Sequence, residues 1–174
     1  LLEVVDKDGN PTGEILDKDV VHDRNLLHKE VSLFIFNSKK QTLLQKRSMS
    51  KRFDPNKWGL CAGHVEAYED NLAAILRELK EELGIDTNPS NLKRFITMVK
   101  ERKTNSKITY GYYTFLNKPE LEFKIQEKEL SEVKWVDFEK FKNMVINNDD
   151  SIVFSNNEDN IKMIEILEDI LKTY

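Results

Sequence analysis

Three glutamates, Glu78, Glu81 and Glu82, recur at the spacing that brings side chains together on one patch of an α-helix. Like charges so placed repel one another unless a cation sits between them, and oxygen ligands suit a hard divalent ion, Mg²⁺ above all. The chemistry that calls for such a site is attack of water on a phosphoric anhydride. Charge on the phosphate oxygens must be masked and a nucleophile made from water at neutral pH, and a bound divalent metal supplies both. The surrounding segment predicts the helix that would carry them. Leu72, Ile75, Leu76, Leu79 and Leu83 form an apolar stripe at 3.6-residue periodicity, and the glutamates are expected on a sector facing away from it. Residues 63–69 read as a loop entering the helix, with Asp70 or Asn71 near its N-cap and Gly84 closing its C-terminus.

Further residues stand in register with the three. Gly63, five residues, Glu69, seven residues, Arg77-Glu78-Leu79, one residue, Glu81-Glu82, one residue, Gly84-Ile85 is the full order. A solvated acidic helix face would explain the glutamates alone, but not Gly63, Glu69, Arg77 and Gly84 at fixed offsets. At about one in ten per required position, a chance match is on the order of 10⁻⁷ per start. This segment resembles the Nudix box at every defined position. The resemblance implies an α/β/α sandwich with a mixed sheet over residues 1–174 as one domain, and hydrolysis of the diphosphate linkage of a nucleoside diphosphate derivative or other small organic diphosphate with Mg²⁺ or Mn²⁺. It further implies that Glu78, Glu81, Glu82 and the backbone of Gly63 hold the metal, and that Arg77 orients Glu69. An acid from a later loop often serves as base in the family; Glu129 is the candidate, with Glu127 and Glu132 as competitors. One departure concerns the loop: many family members have glycine just before the first box glutamate, and here it is Tyr68.

Residues 4–64 resemble a particular branch, the isopentenyl-diphosphate isomerases. His22, His28 and His64 match its metal-binding histidines, a candidate second metal site, and Lys18, Arg47 and Lys51 match its diphosphate-contacting residues. Basic side chains suit a diphosphate as point-charge partners. The isomerase's acid/base cysteine would stand directly before Gly63-His64, where this chain has Ala62; Cys61 lies one place early, on the opposite face of an extended strand. The acidic metal ligands of a later isomerase strand are replaced in ITYGYY (108–113). A hydrolase is therefore expected, with a divergent isomerase and a non-catalytic diphosphate sensor as alternatives. Trp58, Phe53, Tyr68 and Tyr112 are aromatic candidates for stacking on a substrate, though such residues more often pack in a core.

Other elements must position these groups. LLEVVD predicts a strand closed by turn signals at Asp8-Gly9 and Asn10-Pro11; VSLFIFN (31–37) predicts a buried strand, and TLLQKR (42–47) its hairpin partner. A basic loop (48–57) and a short strand (58–62) lead to Gly63. Strands follow at 92–102, 107–117 and 132–138, then helices at 139–146 and 158–173, the last on Ile161, Ile164, Leu167 and Leu171. At 174 residues, 39% hydrophobic and 33% charged, the chain reads as a globular protein. Net charge −4 gives no basic footprint for nucleic acid. No run of 18 apolar residues suggests a membrane span, the N-terminal residues do not read as a secretory signal, and the single cysteine favours a cytoplasmic setting. A monomer or homodimer is expected.

Overall fold

The computed structural model describes residues 1–174. Strand β1 (Leu2–Val5) turns through Asp6–Asn10 into β2 (Pro11–Leu16), and a short helix α1 (Lys18–Asp23) leads to β3 (His28–Phe36). Two of these elements were not anticipated. β2 is an exposed edge strand with almost no apolar alternation, and the six residues of α1 are too few to show a helical period. What starts α1 is local: the Asp17 carboxylate accepts from the Asp19 N–H, an N-cap contact.

β3 begins three residues earlier than its hydrophobic run, at His28, and organises the sheet. It runs parallel to β8 (Lys107–Phe115) along its length and antiparallel to β6 (Cys61–His64) on its other edge. The expected hairpin of β3 with β4 (Gln41–Arg47) exists only at its tip, where Phe36 faces Thr42. Beyond that pair the strands diverge, and β4 takes β9 (Leu130–Asp137) and β5 (Trp58–Gly59) as partners. The strand expected at 58–62 is broken at Leu60: β5 lies on β4 and β6 on β3, so the chain crosses the gap between the diverging halves. β7 (Lys93–Lys100) completes the sheet on β8.

Alternation along β3 builds the two cores. Val31, Leu33 and Ile35 face α2 (Asn71–Leu83) and pack with Cys61, Ile75, Leu79 and Leu83. Phe34 and Phe36 point the other way, into a second cluster with α3 (Phe138–Ile146) and α4 (Glu158–Lys172). Each fully buried leucine or isoleucine of α2 contributes roughly 1.5–3 kcal/mol. The result is a mixed sheet between helical layers, as expected. α4 is turned slightly from its predicted stripe: Asn160, Met163, Ile164, Leu167 and Leu171 are buried, and Ile161 is only half-buried. No helix is long and apolar enough to cross a membrane.

Candidate active site

α2 starts where the Asp70 side chain accepts from the N–H groups of Leu72 and Ala73, and ends at Gly84, whose φ of 67° is the left-handed C-terminal conformation. The three glutamates do not share one exposed face. Glu81 is exposed and Glu78 half-buried, but Glu82 is buried at 5% exposure on the margin of the apolar stripe. The reason is angular: three residues at 100° each leave Glu82 only about 60° from Leu79. There Gln45 of β4 donates from Nε2 to Glu82 Oε2 at 2.6 Å. Burial pushes the Glu82 carboxyl up to about 7, against the opposing pull of the Gln45 hydrogen bond. Burial also raises Glu78, opposed by Arg77.

Gly63 is required by space. A Cβ there would lie 2.0 Å from the Glu78 carboxyl carbon. Arg77 ties the surrounding pieces together. Its Nε and Nη2 donate to the two oxygens of Glu69, each at 2.9 Å, Nη2 also reaches the His64 carbonyl at 3.0 Å, and Nη1 donates to Glu78 Oε1 at 2.7 Å. A planar fork meeting one carboxylate through two bonds fixes both partners. Glu69 also accepts from the Glu66 N–H, which closes the loop. Tyr68, in the place where glycine is usual, has φ of 68° and a side chain 90% exposed. The loop thus keeps the left-handed turn with a residue that adopts it at a cost.

A cavity of about 330 Å³ brings Glu78, Glu81, Glu82 and Gly63 together with Lys18, Arg47, Lys51 and Glu129. The glutamates reach it between β6 and β4, the gap opened where β3 and β4 part. Lys51 forms an ion pair with Glu129 inside it. Glu127 and Glu132 are exposed and do not line it. Arg47 spends Nε and Nη2 on the Phe53 carbonyl, at 3.1 and 2.9 Å, which fixes the basic loop from within. Among the four aromatic candidates only Phe53 lines the cavity. Tyr112 packs in the α2 core, Trp58 is buried beneath the Lys134 ammonium, and Tyr68 projects into solvent.

The three histidines converge from α1, β3 and β6, with ligand atoms all within 4.8 Å of one another. The His28 Nδ1 lies 3.0 Å from the Leu26 carbonyl, so it carries the proton, and its buried Nε2 is left as a lone pair without a partner. His22 Nε2 and His64 Nε2 are 3.1 Å apart. Desolvation, reinforced by neighbouring cations, lowers His22 to about 4 and His64 to about 3. All three are neutral imidazoles at pH 7, the form that ligates a metal.

Gln45, Lys107, Lys100 and Asn160 are among the cavity or site residues that no sequence signal singles out, and Glu30 is another not named from the sequence. Glu30 was within reach, since extending the period-2 alternation of β3 backwards puts it with Ser32 on the face opposite Val31. Its partner was not, because Lys107 arrives on a strand 77 residues later and meets Glu30 at 2.6 Å. Ala62 lines the cavity, while Cys61 points to the α2 core with its thiol against Glu82.

A family model described as the NUDIX domain matches residues 26–154. The chain belongs to the Nudix family. Among curated relatives, isopentenyl-diphosphate Delta-isomerase 2 of Photorhabdus laumondii is 34% identical over 149 residues, 84% of this chain and 82% of that protein. Nudix hydrolase 3 of Arabidopsis thaliana is 32% identical over 161 residues, 87% of this chain but 21% of that much longer protein. Among solved structures, DR0079 from Deinococcus radiodurans superposes with a TM-score of 0.71 at 20% identity, over 94% of this chain and 96% of that one. A C. elegans Ap4A hydrolase gives 0.61 at 23% identity, over 84% of this chain and 98% of that one. These two likenesses establish the fold.

Proposed function

We propose that the protein hydrolyses the diphosphate linkage of a nucleoside diphosphate derivative or another small organic diphosphate, with Mg²⁺ or Mn²⁺. The observation that carries this reading is the assembled box: Gly63 leaves the space that the Glu78 carboxylate fills, and Glu82 is held buried by Gln45. A buried carboxyl raised to about 7, with only the neutral Gln45 amide and Cys61 thiol as donors, fits a hard cation among oxygen ligands. Glu78, Glu81, Glu82 and the Gly63 backbone would hold it. When bound, the ion supplies Lewis acidity toward the phosphate oxygens and a more acidic water. Lys18, Arg47 and Lys51 bind the substrate's remaining phosphate charge. Arg77 and Glu69 hold the loop and β6 at fixed distance from α2. Glu129, the one later acid in the cavity, pairs with Lys51 there and is the candidate to accept a proton. Residues 1–174 act as one catalytic unit in this reading, since β1 joins the sheet and α4 closes the second core.

The isomerase relatives keep a second reading in view, and the cavity argues against it. Isomerisation needs an acid/base at the hydrocarbon end of the substrate. Here that wall offers Ala62 in place of a cysteine, β8 presents Lys107 and Thr109, and the one acid, Glu30 of β3, is tied to Lys107 at 2.6 Å. The histidine cluster is common ground. Its orphaned His28 Nε2 fits a second, borderline metal such as Zn²⁺, which favours imidazole over carboxylate ligands.

A phosphate-release screen over organic diphosphates tests the proposal. Turnover with Mg²⁺ or Mn²⁺ that disappears with EDTA is expected. Glu81→Gln and Glu82→Gln should each lower kcat at least about 10²-fold. Full turnover in EDTA, or wild-type rates from both variants, would reject it.

A further inference from the structure

The face of the sheet that floors the cavity carries a second charged constellation away from the box. β3 presents Glu30 and Ser32; its parallel neighbour β8 presents Lys107 and Thr109; β7 presents Lys100 opposite Lys107 and Met98 opposite Thr109. Strands are about 4.8 Å apart, so Lys100 stands two strand spacings, roughly 10 Å, from β3, and β6 with Ala62 lies on the far side of β3. Charge there does not balance. Lys107 takes the Glu30 carboxylate at 2.6 Å, which leaves Lys100, half-buried on the cavity wall, without an ion pair. The exposed Arg102 adds a further unpaired cation at the same end.

A second observation points independently to a ligand. Asn160 of α4 lines the cavity, is 3% exposed, and donates to the Ser155 carbonyl, yet its Oδ1 has no partner. A buried acceptor left open costs free energy unless a donor arrives. The part of the cavity where α4 packs on β7 thus asks for a molecule with one anionic group and at least one O–H or N–H.

We propose that the organic part of the substrate is hydroxylated and carries a second anionic group, a phosphate or carboxylate, bound by Lys100 with Asn160 accepting from an adjacent donor. This rests on the reading of the box end as the diphosphate site and adds what lies at the other end. A simple hydrocarbon chain would bury Lys100 with no counter-charge and leave Asn160 open, so isoprenoid diphosphates are disfavoured. Burial and the neighbouring Lys107 lower Lys100 to about 8, against the opposing pull of Glu30 and Asp159.

Three probes separate the cases: 5-phosphoribosyl 1-diphosphate (second phosphate), mevalonate 5-diphosphate (carboxylate) and isopentenyl diphosphate (neither). Affinity is read by calorimetry with Ca²⁺ in place of Mg²⁺, so the result stands whether or not hydrolysis follows. The wild-type protein should bind at least one of the first two about tenfold or more tighter than isopentenyl diphosphate, a difference typical of a hydrogen-bonded charge pair. The better of the two identifies the anion. Lys100→Met should bring that ratio to within about threefold of one, and Lys100→Arg should preserve it, which guards against a folding defect. A wild-type ratio near one, or a ratio that Lys100→Met leaves intact, would overturn the subsite. Lys100-dependent selectivity together with no metal-dependent turnover of any organic diphosphate in the phosphate-release screen would leave the subsite standing and sink the hydrolase reading instead.

Discussion

Gly63 and Tyr68 bracket the entry to α2 and show two different demands on single residues. At Gly63 the demand is volume, because a methyl group would occupy the place of the Glu78 carboxylate. Gly63→Ala should therefore displace Glu78 and lower kcat by about 10²-fold, with little change in melting temperature; near-wild-type turnover would mean that Glu78 has another productive position. At Tyr68 the demand is a left-handed backbone, met by a residue whose side chain touches solvent and little else. A non-glycine residue there costs about 1–2 kcal/mol. Glycine returns some of that gain as unfolded-state entropy, so Tyr68→Gly should stabilise by about 1 kcal/mol, a rise of roughly 2–4 °C. Thermal denaturation decides it, and a fall in melting temperature would show that the exposed ring has a partner in the folded state.

Among the elements, α2 carries all three box glutamates and Arg77. Its N-terminus is held by one side chain, since Asp70 Oδ1 takes both the Leu72 and the Ala73 N–H at 2.9 Å. Asp70→Ala should cost about 1 kcal/mol of stability. Arg77 binds Glu69 from inside the helix, so the loop should stay docked and KM should change less than about threefold, which steady-state kinetics would show; a large rise in KM would make the cap part of substrate binding. The C-terminal end is fixed differently. Gly84 has positive φ and a Cβ there would meet Lys124, so neither conformation nor space admits a side chain.

At the scale of the molecule, the site exists because the sheet splits. β3 and β4 meet only at Phe36 and Thr42 and diverge from there, β5 and β6 bridge the gap, and the glutamates of α2 look through it at Gln45 on one side and Gly63 on the other. The same arrangement decides between hydrolysis and isomerisation. Cys61 and Ala62 lie on opposite sides of β6, the first in the α2 core and the second in the cavity. Purified protein should convert isopentenyl diphosphate to dimethylallyl diphosphate at no more than background, and Cys61→Ser should retain diphosphatase activity. Robust isomerisation that Cys61→Ser abolishes would reverse the assignment.

How much of this was legible in the chain follows from the range of the interactions. Helix α2, its Asp70 cap, its Gly84 stop and the order of the box residues are short-range features, set by periodicity and by what each residue does to its own backbone. The alternation that turns Ala62 rather than Cys61 to the cavity is equally local, and survives the break at Leu60. Other features depend on partners distant in sequence. Glu82 is buried because it falls at the edge of the stripe and β4 supplies Gln45, 37 residues earlier. β4 leaves β3 because β8 and β9 offer longer pairings than the hairpin, which no local pattern encodes. Glu30 meets Lys107, and Lys100 is left over, only once three strands lie side by side. Local backbone preference and period thus determined which residues could act, whereas the pairing of distant strands decided which are buried, which are paired, and which are left to meet a ligand.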